Sequence, residues 1–361
     1  MSSAIRPSSQ TVPSPRRVSK PCDVRTTPAR TPSPGARVAS AAMTRRSLAP
    51  ALLACAVLAG CAVPVAGAAA PLPATPPVAT SAPTSAPASA APTSAPPACP
   101  DPAWSCEQQQ RFTAVESYTR REVGAHGYLG VVFTDRRTGA VWRSGATDHE
   151  GWTASTIKLA IATDLLQRER AGTIALAASD RHDMDTMLNF SDEAASDRLW
   201  KKYGGDAMLA RFRSDLGMTG LHFVPGFTKA TYWGFVKCTT DDLAALMSHV
   251  LTRTDPADRT YLVDALRGVA SNQQWGVWGA GPAEQPGNKD GWSFESDSYG
   301  KHWVTDTVGF AGPAERYALA IMYQVDPSGS LADGAHTVSD VAALLFGRPT
   351  PAPITVPAPD G

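Results

Sequence analysis

The chain has 361 residues, with 33 lysines and arginines balanced by 33 aspartates and glutamates. A formal charge of zero and the lack of any basic run beyond residue 61 argue against nucleic acid as a partner. Six cysteines with no C-x-x-C pair, and seven histidines with no close pair, give a metal site no support; no cofactor is expected.

Residues 1–42 are rich in Arg, Pro, Ser and Thr, with Asp23 as the only acid, and show no apolar periodicity. They are expected to be disordered, or to be upstream sequence included by a wrong start codon. From Met43, Arg45 and Arg46 precede a short apolar run from Leu48 to Gly60. That layout over 43–60 is a signal peptide's and is too short for a stable bilayer span. The tetrapeptide Leu58-Ala59-Gly60-Cys61 resembles a bacterial lipobox. The resemblance implies a lipid on Cys61, which would hold the protein at the outer face of the cytoplasmic membrane; the alternative is an ordinary cleaved signal. Residues 61–98, almost entirely Ala, Pro, Ser, Thr and Val, cannot bury a core and read as an extended tether.

The globular body is expected over 99–346. Cys99 and Cys106 bracket a short loop, and in an exported chain disulfides persist, so the two are expected to pair. Cys238 reads as a buried small hydrophobe. The spacing of Phe112, Val115 and Tyr118 predicts a helix over 107–123. Segments 128–134 and 140–143 read as strands joined by a turn ending at Gly139. An apolar helix then runs from about Ser155 to Arg170, and further helices fit 192–203, 206–216, 240–252 and 257–267. Three strands (289–294, 301–310 and 316–325) and a helix over 337–345 follow, before a Pro-rich tail at 347–361. Strands from both ends of the body must share a sheet. The expected class is α+β: an antiparallel sheet of about five strands with an inserted helical subdomain.

Ser155 and Lys158 lie three apart at the head of the apolar helix. A hydroxyl needs a base within reach to act as a nucleophile, and residues i and i+3 share a helix face. Lysine serves as that base only when burial or a neighbouring cation lowers its pKa. Alone, the pair reads more readily as a capping serine and a snorkelling lysine. Two further stretches change the balance: Ser191-Asp192-Glu193 at the start of a later helix, and Lys289-Asp290-Gly291 on a late strand.

S-x-x-K, then S-D-x, then K-x-G on a strand is the ordered motif set of penicillin-binding proteins and class A β-lactamases. From residue 107 to 346 the body resembles that serine β-lactamase and D,D-peptidase-like superfamily in both motifs and element order. The resemblance implies Ser155 as nucleophile, Lys158 as its base, Ser191 as a proton relay and Lys289 as a source of positive potential. It also implies an oxyanion hole from the backbone N–H groups of Ser155 and Trp292, beside Gly291.

Four departures stand out. No glutamate occurs between Glu193 and Glu284, so the loop carboxylate that drives class A deacylation has no counterpart. Glu193 replaces the usual asparagine, and Asp290 replaces the usual threonine or serine that contacts a substrate carboxylate. Only 36 positions separate Ser155 from Ser191, so part of the helical wall is expected to be missing. Two carboxylates at the mouth point to a neutral or amine-bearing acyl substrate, a small molecule or a peptidoglycan-like peptide, rather than an efficient β-lactamase. A β-lactamase with atypical deacylation and a degenerate binding lipoprotein stay open. Trp233, Trp275, Trp278, Trp292 and Trp303 are candidates for groove or core, His302 reads as an exposed histidine without a role, and a monomer is expected.

Overall fold

The computed structural model describes residues 99–226 and 231–359. The expected leader, signal peptide, lipidated Cys61 and tether lie outside the described residues. Cys99 and Cys106 form a disulfide with their Cα atoms 5.3 Å apart. The loop they close holds Trp104 against Phe112, ring centroids 4.9 Å apart.

Helix α1 (Cys106–Glu122) starts at Ser105, whose hydroxyl accepts from Gln108 N. Strands β1 (Tyr128–Asp135) and β2 (Ala140–Gly145) form a hairpin, with Gly139 at φ 77° in its turn. A left-handed residue there costs glycine nothing. The later strands are β6 (Gly287–Asp297), β7 (Gly300–Ala311) and β8 (Tyr317–Gln324), and α8 (Leu331–Leu345) closes the body. All five join one antiparallel sheet in the order β2-β1-β8-β7-β6.

Alternation along β8 shows why its sequence is apolar throughout. Leu319, Ile321 and Tyr323 face a core shared with α1 and α8, whereas Ala318, Ala320 and Met322 face the core of the inserted helices. A central strand covered on both sides has no polar face. Tyr118 of α1 donates to Asp340 of α8 at 2.8 Å, tying the outer helices together.

The insert is built round α2 (Ile157–Arg170), in which every residue from Ile157 to Leu166 is buried. A helix buried on all sides must lie at a centre. Around it pack α3 (Ala178–Asn189), α4 (Glu193–Lys202), α5 (Gly205–Ser214), α6 (Thr240–Thr252) and α7 (Pro256–Arg267). A small sheet with strand order β3-β5-β4 sits at its edge: β3 is Gly151–Trp152, β4 His222–Phe223 and β5 Val236–Cys238.

The sequence reading missed α3 and this small sheet. Helix α3 buries Met184, Met187 and Leu188, but it also buries Asp180 and Asp183, paired with Lys202 and Arg198, which hides the amphipathic pattern. Strands of two or three residues are too short to show a period of two. The Pro-rich segment, set apart from the body by composition, lies on it. Ala352 is 2% exposed, and its N–H donates to Asp340 Oδ1.

Candidate active site

Ser155 sits in a 3-10 turn (Ala154–Thr156) just before α2, not within the helix itself. Ala154 is at φ 41°, so the serine lies in a strained turn between β3 and α2. Strand β6 presses against this turn: a Cβ added to Gly291 would lie 2.7 Å from Ser155 N and 2.9 Å from Thr156 N. Glycine is needed there because the serine's own turn occupies the space.

Lys158, one residue into α2, is fully buried. Its Nζ donates to the Ser191 carbonyl at 2.6 Å and to Ser191 Oγ at 3.1 Å. From the opposite strand, Lys289 Nζ donates to the same Oγ at 3.0 Å and to the Asp290 carbonyl at 2.9 Å. Ser191 is held at φ 60° by the turn before α4. The N-cap of α4 is Asp192, whose carboxylate accepts from Ala195 N at 2.6 Å, leaving the Ser191 side chain free to face the lysines. Contrary to the simple i, i+3 expectation, Lys158 bonds Ser191. Among the described residues, Ser155 Oγ makes no side-chain hydrogen bond. The 3-10 turn takes Ser155 off the regular helical face, and the Ser191 carbonyl offers the amine a fixed acceptor.

Burial lowers Lys158 to a pKa of about 8, although Glu193, Asp192 and Asp197 pull it back up. Lys289 is driven well below the ordinary lysine value by burial and by the nearby charge of Lys158. The Trp233 ring lies 4.7 Å from Lys158 Nζ, and its indole N–H donates to Asp197. Two buried amines around one hydroxyl therefore make a neutral lysine available near neutral pH.

A cleft of about 550 Å3 opens over Ser155, lined by Phe190, Ser191, Asp192, Glu193, Trp292, Ser293, Phe294 and Pro359. Asp290 is absent from it. The Asp290 side chain is 1% exposed and faces Thr307, Asn288 and Trp275 on the α8 side of the sheet, with neither carboxyl oxygen in hydrogen-bond geometry. Successive strand residues point to opposite faces, so the strand that aims Lys289 at Ser191 turns Asp290 to the other side. The expectation that Asp290 meets substrate is therefore corrected, and burial raises its carboxyl to about 8. Glu193, in the first turn of α4, does line the cleft. His302 is buried too, at 1% exposure, not a surface histidine.

Of the tryptophans, Trp292 lines the cleft, with its ring edge-on to buried Trp275 at 6.0 Å. Trp278 donates to Asn288 beneath β6, and Trp303 packs against Phe294 at 5.1 Å. The sequence reading missed Phe190 and Phe294, which are 62% and 54% exposed at the cleft. Each lies within two residues of a named site residue, and that adjacency was the available signal. Pro359 had none.

The fold is that of the class A β-lactamases. It matches a β-lactamase of Xanthomonas campestris with a TM-score of 0.54 at 19% identity, covering 66% of this chain and 97% of that one. It matches an ancestral class A β-lactamase with a TM-score of 0.50 at 20% identity, covering 66% and 98%. In sequence the chain is similar to a Mycobacterium tuberculosis protein named "Putative lipoprotein LppW", 28% identical over 218 residues, 58% of this chain and 67% of that protein. The Mycobacterium bovis protein of the same name matches equally. No family model matches the chain. No helix of the described residues is long and apolar enough to cross a membrane.

Proposed function

We propose that the protein is a serine acyl hydrolase or acyl transferase that works through an acyl-enzyme on Ser155. The observation that carries this reading is the Ser191 hydroxyl, held between the buried amines of Lys158 and Lys289 in the cleft that contains Ser155. Ser155 Oγ forms a bond to the acyl carbon while its proton passes to the neutral Lys158 amine. The proton then reaches the leaving group through Ser191 as the acyl–leaving-group bond breaks. Backbone N–H groups of Ser155 and Trp292 would stabilise the oxyanion, and Lys289 would favour the added negative charge. In the second half-reaction, water or an acceptor amine takes the acyl group from Ser155.

The aromatic rings of Phe190, Trp292 and Phe294 and the carboxylates of Asp192 and Glu193 suit an acyl substrate with an apolar part and a neutral or amine-bearing end. Peptidoglycan-related peptides and small esters are the substrate classes this favours. With no glutamate between Glu193 and Glu284, hydrolysis of a penicilloyl-enzyme by the class A route is expected to be slow. The name of the mycobacterial relatives supports a lipid on Cys61 and a place at the outer face of the cytoplasmic membrane.

A non-catalytic binding protein is the second reading, favoured by the missing Ser155–Lys158 hydrogen bond. Intact mass after incubation with a penicillin and, separately, with a fluorophosphonate decides between the two. A stoichiometric adduct that Ser155→Ala abolishes supports the acyl-enzyme. No adduct with either reagent supports binding alone.

A further inference from the structure

The segment that follows α8 is laid on the body in a defined way. Ala352 is anchored to Asp340, Ile354 packs against the core under α8, Val356 is half-buried and Pro357 is buried. From there the chain reaches the cleft. The Ala358 carbonyl accepts from Trp292 Nε1 at 2.9 Å, and Pro359 forms part of the wall over Ser155.

An indole N–H is a donor with no acceptor capacity, so its natural partner is a carbonyl. Prolines at 351, 353, 357 and 359 fix φ and stiffen an extended course, which lowers the entropic cost of ordering the segment. Residues 356–359 thus reach the cleft that contains Ser155, with a backbone carbonyl read by a cleft side chain.

We propose that Trp292 marks an extended-peptide subsite of the Ser155 cleft, and that the chain's own residues 356–359 fill it and compete with any substrate of peptide length. Small acyl compounds enter the remaining volume, whereas a peptidyl compound must first displace the segment. The inference rests on the cleft being the substrate site but not on Ser155 being reactive.

The test compares the chain with a version ending at Thr355, which keeps the Ala352 anchor. The Trp292 indole N–H resonance, assigned by its loss in Trp292→Phe, reports docking without any chemistry. Its solvent exchange is expected to be about tenfold faster in the shortened chain. Labelling of Ser155 by a tripeptidyl fluorophosphonate is expected to speed up about tenfold, and labelling by a methyl fluorophosphonate by less than about twofold. Unchanged indole exchange overturns the inference, as does unchanged peptidyl labelling in chains that do label. If neither chain labels with any reagent, the acyl-enzyme reading fails, and the indole exchange still decides the docking.

Discussion

Lys158 gives its amine to Ser191 twice, to the carbonyl at 2.6 Å and to the hydroxyl at 3.1 Å. The left-handed backbone of Ser191 lets one residue present both acceptors to the same buried nitrogen. With Lys289 at 3.0 Å on the other side, the hydroxyl joins two groups that burial has made reluctant to carry charge.

Replacing that hydroxyl should separate the amines from the leaving group. Ser191→Ala is expected to slow fluorophosphonate labelling of Ser155 by about 100-fold, within the usual range for a lost proton-transfer partner. The labelling rate constant measures this directly. A change of less than about threefold would remove Ser191 from the proton path.

The tuned lysine should cost stability. Lys158 is held at about 8 in the fold against an ordinary 10.5, so the unfolded chain binds its proton more tightly. The cost is fully present below the folded value and fades as pH rises from about 8 to 10.5. Lys158→Met is therefore expected to be inactive, and more stable at pH 7 by about 2 kcal/mol after allowing for the lost Ser191 bonds. Urea unfolding of both proteins across that pH range measures it. A variant less stable than the parent at pH 7 contradicts the burial account.

Asp290 separates two views of the K-x-G strand. Its carboxyl is raised to about 8 by burial, so it costs nothing below about pH 4 and its cost grows as pH rises through that window. Asp290→Asn is expected to match the parent's stability at pH 4, to exceed it at pH 8, and to label at Ser155 within about threefold of the parent rate. Unfolding curves at the two pH values and one labelling rate suffice. A large loss of labelling would return Asp290 to the cleft.

The sequence made the sheet, the central helix and the group Ser155, Lys158, Ser191 and Lys289 legible because each rests on a local signal. Ser155 and Lys158 share a motif at the head of an apolar helix, and β6 to β8 are long strands with clear boundaries. What stayed hidden depends on contacts across the fold. Alternation along β6 sets Asp290 opposite Lys289, but its burial against Thr307, Asn288 and Trp275 comes only from the folded chain. The buried aspartates of α3 mask a helix whose partners, Lys202 and Arg198, come from another element. Gly291 was singled out, but its reason was visible only once the Ser155 turn was seen against it.

That close approach gives a further expectation. Gly291→Ala would put a methyl group against the Ser155 and Thr156 backbone nitrogens, and neither can move without shifting Ser155. Overpacking of this kind typically costs about 1–3 kcal/mol. Unfolding should show that loss, and Ser155 labelling should drop with it. A variant of parental stability and rate would mean that the turn and strand are looser than described.

The most direct test of Lys158 as the base is the pH profile of Ser155 labelling by a fluorophosphonate. The amine acts only when neutral, so the rate should rise through an apparent pKa near 8 and level off above it. In Lys158→Arg, whose guanidinium stays charged, the limb should vanish along with nearly all of the labelling. A limb near the ordinary lysine value of 10.5, or a profile that Lys158→Arg leaves unchanged, would contradict the assignment.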